Sequence, residues 1–300
     1  MRNFLIFYYN IDVENIEHIN DNESSFYLNY DKYYIHKLTR PKEEVEEIYN
    51  ILSNIKSNYN IIITNKEQRI VSEWDKKNYV LVKNINVIHD EINLIEIVKS
   101  QKTVIPSKLL NRNNWKELWS SKIDYLEYQV SERAASKKII VKSFSYFVGM
   151  AENAIQYLGN MSPTRENLFI SHKRVNNPNY AKDFYNPLNI VVDYRVRDIA
   201  EYIKSYYTKE YDNTMLFDEI KKISKYLSYN DTVMLYARLL YPSNYFDLIV
   251  KIMDEDLDDN VLIDFITNTK EYERFLTEVF NILNSKHPIK KIDWLSKKRL

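Results

Sequence analysis

Ser171-His172-Lys173-Arg174-Val175-Asn176-Asn177-Pro178-Asn179 is the stretch on which the reading of this chain turns. It lies in a loop region, residues 160–195, that interrupts a pattern reading as helical from about residue 111 onward. Just upstream, Phe144, Phe147, Val148, Ala151, Ala154, Ile155 and Leu158 fall on one helical face. Gly159-Asn160 is expected to end that helix with a left-handed cap. The same spacing puts Glu152, Asn153 and Gln156 on its polar side. Just downstream stand Asp193 and then Arg197-Asp198-Ile199-Ala200-Glu201-Tyr202, where Asp198 is expected to cap the helix carrying Ile199, Tyr202, Ile203 and Tyr206.

Further on, Asp231 is expected to open a helix that reads Val233 to Leu240, broken by Pro242. Tyr272, Phe275, Leu276, Val279, Phe280 and Leu283 form the apolar stripe of a last long helix. A basic tail, with Lys290, Lys291, Lys297, Lys298 and Arg299, reads either as a solvated end or as a partner-binding patch.

Outward in the other direction, residues 1–98 predict short strands around one helix. Met1 to Tyr9, with one positive charge and a short apolar run, reads as a strand. Ser25-Phe26-Tyr27-Leu28 and Tyr33-Tyr34-Ile35-His36 predict a hairpin turning at Asn29-Tyr30-Asp31-Lys32. Pro41 and the acids Glu43, Glu44, Glu46 and Glu47 mark a helix start, and Val45, Ile48, Leu52 and Ile55 are its buried stripe. Ile61-Ile62-Ile63-Thr64, Arg69-Ile70-Val71 and Tyr79-Val80-Leu81-Val82 supply three more strands, with a turn at Asp75-Lys76-Lys77-Asn78.

Composition bounds what such a chain can do. Lys+Arg and Asp+Glu balance at 42 each, so no global field draws it to nucleic acid or an anionic membrane. With no cysteine there is no disulfide framework, no thiolate nucleophile and no cysteine zinc site. No apolar run approaches the roughly 18 residues of a membrane span, and the N-terminus lacks a signal-peptide cleavage site; synthesis and folding in the cytoplasm are the expectation. The 26 tyrosines fit either an AT-rich coding sequence or a tyrosine-rich surface suited to assembly. Gly149 and Gly159 are the only glycines, so a glycine-rich phosphate loop in the N-terminal third is excluded.

The order of these pieces resembles the aminoglycoside-phosphotransferase branch of the kinases. Phosphoryl transfer needs a strand lysine paired with a helix glutamate, an aspartate to orient the nucleophile, and Asn or Asp ligands for magnesium. Lys37, with Glu44 or Glu47 as partner, matches the first pair in position. In the phosphotransferase pattern a histidine, a glycine, an aspartate and a hydrophobic residue precede a metal-binding asparagine. His172 and Asn179 match, but Arg174 occupies the aspartate position, and a guanidinium cannot accept a proton. Asn179 and Asp193 are then the metal ligands the resemblance implies, and Asp183 and Asp193 the carboxylates left for catalysis. The alternative roles are structural: His172 as a packed loop residue, and Arg174 as the ion-pair partner of Asp193, Asp198 or Glu152.

With Trp115-Lys116-Glu117-Leu118-Trp119, Tyr236-Ala237-Arg238-Leu239-Leu240-Tyr241-Pro242 and Tyr245-Phe246-Asp247 added, the chain resembles the YutH-type spore coat proteins, kinase-like relatives of the CotS coat proteins. The resemblance implies an α+β, bilobal protein-kinase-like fold: a β-rich N-lobe with one helix, residues 1–98, and a larger helical C-lobe, residues 99–300. It also implies association with the bacterial endospore coat or the forespore surface, with coat proteins or a small molecule in the interlobe cleft as partners. The expected role is a degenerate, pseudokinase-type binding or structural component of sporulation. Its rivals are a phosphotransferase using ATP and magnesium, with Lys37, Glu47, His172 and Asn179 holding the nucleotide, and a tyrosine-rich assembly module.

Overall fold

Arg2–Tyr9 is a helix, α1, and not the strand that its aromatic and β-branched content predicts. Phe4 and Leu5 are fully buried and pack with Phe26, Ile35 and Leu81, while Asn10, at φ 54°, ends the helix by donating its N–H back to the carbonyls of Leu5 and Ile6. Packing of one helical face here overrides local β preference, which depends strongly on context. The computed structural model describes residues 1–85, 92–161, 167–173, 180–207 and 212–296, apart from the side chains of Tyr180 and Ser296.

Three strands follow as a meander: β1 (Glu17–Asn20), β2 (Glu23–Leu28) and β3 (Asp31–Lys37). Leu28 pairs with Asp31, so the β2–β3 loop is Asn29-Tyr30 alone, with φ of 50° and 68°. Two successive positive φ angles give the turn whose twist matches that of paired strands. Helix α2 (Lys42–Ser53) starts after Pro41 with Glu43 and Glu44 in its first turn and buries Val45 and Ile48 of the predicted stripe, while Leu52 is only half-buried and Ile55 lies beyond the helix end. Then come β4 (Ile61–Ile63), β5 (Ser72–Trp74) and β6 (Lys77–Lys83). The strand expected at Arg69–Val71 begins at Ser72 instead, because Asn65 claims the preceding backbone: its side-chain oxygen accepts from the N–H groups of Glu67 and Arg69. The sheet order is β1-β2-β3-β6-β4, with β5 also on β6.

The remainder is mainly helical. In chain order it contains α3 (Leu94–Ser100), β7 (Thr103–Val104), α4 (Trp115–Arg133), α5 (Lys138–Leu158), β8 (Leu168–His172), α6 (Tyr180–Tyr185), a 3₁₀ turn at Pro187–Asn189, β9 (Ile190–Tyr194) and α7 (Val196–Tyr206). After these run α8 (Thr214–Ser224), α9 (Tyr229–Leu240), α10 (Ser243–Asp254), α11 (Ile263–Thr267), α12 (Thr269–Asn284) and α13 (Asp293–Ser296). Residues 160–195, read from sequence as a loop, thus hold β8 and β9, which with β7 form a small sheet of order β7-β8-β9. The α5 helix begins six residues before Phe144, and Gly159 ends it in right-handed conformation, φ −66°, so the left-handed cap does not form. Asp198 lies in the first turn of α7 without capping it. In α9 the cap is Ser228, and Asp231 completes the capping box by accepting from the Ser228 N–H.

Contacts gather the chain into two compact units, each made of three segments. The first comprises residues 1–92, 102–111 and 168–192; the second comprises 93–101, 112–167 and 193–300.

Candidate functional site

In the first unit the expected site residues lie on β3, α2, β8 and α6. His172 ends β8 and is 1% exposed, its ring 4.3 Å from Phe184 and 5.5 Å from Tyr59. The next residue, Lys173, donates its backbone N–H to the Asn189 carbonyl at 2.7 Å, which ties the end of β8 to the 3₁₀ turn. Asp183, on α6, is half-buried. Burial pushes its carboxyl above the ordinary value, Lys182 pulls it down, Glu23 adds to the rise and His172 opposes it. Lys182 pairs with Glu23 at 2.9 Å and lies 5.2 Å over the Tyr34 ring. His36, stacked on Tyr34 and opposite Glu23 across the ladder, is pushed down to about 4, chiefly by burial.

Lys37 ends β3, but among the described residues no ion pair joins it to Glu44 or Glu47. Glu44 is taken by Arg40, four residues before it, at 2.6 Å. Arg40 is buried and also donates to the carbonyls of Leu188 at 2.8 Å and Ile190 at 3.0 Å, which fixes the start of α2 to the entry of β9. Sequence reasoning passed over Arg40. Its signal was an arginine immediately before the Pro41 helix start with an acid at i+4. Arg174 and Asn179 lie outside the described residues.

In the second unit the centre is Asp193, at the end of β9 and fully buried. Its Oδ2 accepts from Arg197 Nη1 at 2.7 Å and from the Trp115 indole N–H at 3.1 Å, and its Oδ1 accepts from the Tyr194 N–H at 2.7 Å. Burial raises this carboxyl, while Arg197 and then Arg238 pull it back. For Arg197, burial works against the charge, but Asp193 and Glu201 outweigh it and the guanidinium is raised. Beside this pair, Arg238 makes two bonds to Glu201 Oε1, at 2.7 and 3.1 Å, and its guanidinium lies 4.6 Å over the Trp115 ring. Trp115 in turn stacks on Trp119, and Trp119 on Tyr241. Two of the three conspicuous tryptophan and tyrosine segments of the sequence, Trp115 to Trp119 and Tyr236 to Pro242, therefore contribute a buried layer beside two arginine–carboxylate pairs. Arg197, Trp115 and the Arg238–Glu201 pair were missed as site residues. An arginine inside an almost wholly apolar run, Val233 to Leu240, was the available signal.

A magnesium ion takes carboxylate oxygens at about 2.0–2.1 Å within an octahedron of oxygen ligands. Asp193 does not fit that role as it stands: three donors occupy its oxygens, and the charge facing it is already a cation. Among the described residues no group of three or more histidine or acidic side chains could hold a metal ion.

The fold defines a class. The chain is similar to the aminoglycoside phosphotransferase of Alicyclobacillus acidocaldarius subsp. acidocaldarius, with a TM-score of 0.65 over 91% of this chain and 93% of that one at 9% identity. It is similar also to the amicoumacin kinase hAmiN, solved with AMP-PNP, calcium and its ligand, at a TM-score of 0.54, 9% identity and coverage of 96% and 93%. This is a kinase-like fold of the aminoglycoside-phosphotransferase type, as expected from the sequence. Within it, the chain belongs to the family described as "Spore coat putative kinase YutH", whose profile matches residues 2–279. A relative, the endospore coat-associated protein YutH of Bacillus subtilis (strain 168), is 27% identical over 209 residues, and the match covers 61% of each chain.

Proposed function

We propose that this member of the spore coat family is a degenerate kinase, a binding or structural component of coat formation that does not transfer phosphate. The observation that carries the reading is the occupied carboxylate of Asp193, whose oxygens are held by Arg197, Trp115 and Tyr194. Arg174 in the acid position and a chain with two glycines support it from the sequence side. The lobes that go with the reading are residues 1–98 and 99–300. Coat proteins or a small molecule are the partners, and the destination after cytoplasmic synthesis is the coat or forespore surface. Calorimetric titration of the full chain with ATP in the presence and absence of magnesium tests it. No metal-dependent heat is expected; tight magnesium-dependent binding that Asp193→Ala abolishes would overturn it.

One observation favours the rival, a phosphotransferase using ATP and magnesium on a small molecule or a coat protein. Asp183 is half-buried with a raised carboxyl next to His172, and a carboxyl shifted toward neutral pH is what a general base needs. In that reading Lys37, Glu47, His172 and Asn179 hold the nucleotide and Asn179 and Asp193 the metal, which requires Asp193 to leave Arg197. A tyrosine-rich assembly role draws on side chains that stand exposed: Tyr27 and Tyr30 at the β2–β3 hairpin, and Tyr125 and Tyr128 one turn apart on α4.

A further inference from the structure

The larger sheet ends on β1, which pairs with β2 on one side only. All four of its residues are exposed, and among the described residues no backbone group outside β2 bonds to the backbone of Glu17, His18, Ile19 or Asn20. A row of unpaired N–H and C=O groups at a sheet edge is a template for another extended chain. The strand is short and its register with β2 shifts between His18 and Asn20, so it offers a few rungs and not a long flat edge.

The charge along this edge has one sign. From residue 3 to residue 31 the chain holds the acids Asp12, Glu14, Glu17, Asp21, Glu23 and Asp31 and no lysine or arginine. Asp12 pairs with Arg2, Glu23 with Lys182 and Asp31 with Lys83, whereas Glu14, Glu17 and Asp21 make no ion pair among the described residues. Arg2, which acts on Glu14 through space, is bonded to both oxygens of Asp12. Glu14 and Glu17 line an open groove of about 350 Å³ at the start of β1, with Ile16, Phe26 and Tyr27 as its apolar side and Asn15 and Ser25 as its other polar groups. Ser25 Oγ donates to Glu17 Oε2 at 3.2 Å and steadies that carboxylate. Lys32 on β3 lies 5.6 Å over the Tyr27 ring and is not part of the lining.

We propose that the β1 edge binds a short basic segment of a partner protein in extended conformation, its backbone pairing with β1 and one lysine or arginine side chain lying in the groove. The stem of such a side chain meets Ile16 and Tyr27, and its head meets Glu14 and Glu17; long cationic side chains cover apolar surface in this way while the charge stays at the rim. A second copy of this chain fits less well, because pairing β1 with β1 sets the acids of one against those of the other. None of the residues assigned to the nucleotide, the metal or catalysis lines the groove, so the proposal holds whether or not the chain transfers phosphate.

The probe is the blocked hexapeptide acetyl-TVKVTV-amide, titrated into the full chain and followed by the amide shifts of the nitrogen-15-labelled protein. Its controls are acetyl-TVEVTV-amide, the lysine peptide N-methylated at its four central residues, which blocks both of its edges, and Nα-acetyl-lysine methylamide, which carries the cation without a strand. Saturable one-to-one binding of the lysine peptide with shifts at Glu17–Asn20 is expected. The glutamate peptide should bind at least roughly 3- to 10-fold more weakly, the scale of one or two exposed ion pairs, and the N-methylated peptide and the single lysine should not bind saturably. Glu14→Gln combined with Glu17→Gln should bring the lysine and glutamate peptides within about 2-fold of each other. If that double variant does not fold, Glu14→Gln alone, at an exposed position, should narrow the gap. Absence of saturable binding by the lysine peptide overturns the proposal, as do shifts that spare β1. So does equal binding by any of the three controls, or an undiminished lysine preference in a folded acid variant.

Discussion

Asp193 illustrates how a residue picked out by pattern acquires its meaning from neighbours that the pattern does not show. The sequence marks it as chemically special and proposes Arg174 as a structural cation for it; the described structure gives Arg197, because the turn from β9 into α7 brings the first helical turn back over the strand end. Removing one partner of a buried pair leaves an uncompensated charge, at a cost of roughly 3–5 kcal/mol, so this carboxylate is held for structural reasons whatever else it does. His36 makes a different kind of claim, on pH. Its folded value, about 4, lies below its ordinary value of 6.5, so the unfolded chain binds the extra proton first as pH falls. The stability it contributes is complete above pH 6.5 and lost on the way down to pH 4, on the order of 2 kcal/mol. Urea denaturation across that range should show a shallower acid limb for His36→Gln than for the wild type, and parallel curves would remove His36 from the acid response.

At the scale of elements, scarcity of glycine has been met with other residues. Asn10, Asn29, Tyr30, Gln68, Asp75, Lys76 and Asp256 all take positive φ, whereas both glycines sit in right-handed helical backbone. A left-handed conformation costs an L-residue with a side chain roughly 1–2 kcal/mol. Tyr30 carries that cost while fully exposed, at φ 68° in the two-residue β2–β3 turn. Tyr30→Gly creates the Asn-Gly pair that this turn favours and should stabilise the chain by about 1 kcal/mol, measured as a higher urea midpoint with unchanged slope; no gain would mean the Tyr30 ring makes contacts that outweigh the strain. The same scale shows what was legible. Helices α2, α5 and α12 were readable because a long apolar face repeats every three to four residues, and the β2–β3 hairpin because aromatic runs flank a polar turn. Helix α1 was not, since the six consecutive aromatic and branched residues Phe4 to Tyr9 satisfy either period. Strands β8 and β9 are five residues each and buried almost throughout, so they offer no alternation to detect.

For the whole molecule, kinase-like order was legible in the sequence while the grouping of contacts was not, because segments that meet in space are far apart in the chain. The first unit draws Arg40 to Leu188 and Ile190, Asn60 to Tyr185, and Glu23 to Lys182 across more than a hundred residues. Residues 1–98 expressed alone lose all of these partners. A broad, weakly cooperative urea transition is expected for that fragment against a sharp one for the full chain, followed by circular dichroism; a sharp transition in the fragment would show that the sheet needs nothing beyond itself. The three-segment construction also sets a timetable on the ribosome. The partners on the 3₁₀ turn and β9 are made about a hundred residues after the sheet, a wait of roughly 5–20 s at ordinary rates of synthesis. Through that interval Arg40 has no carbonyls to hold, and the nascent sheet is open to whatever shields it until residue 192 emerges.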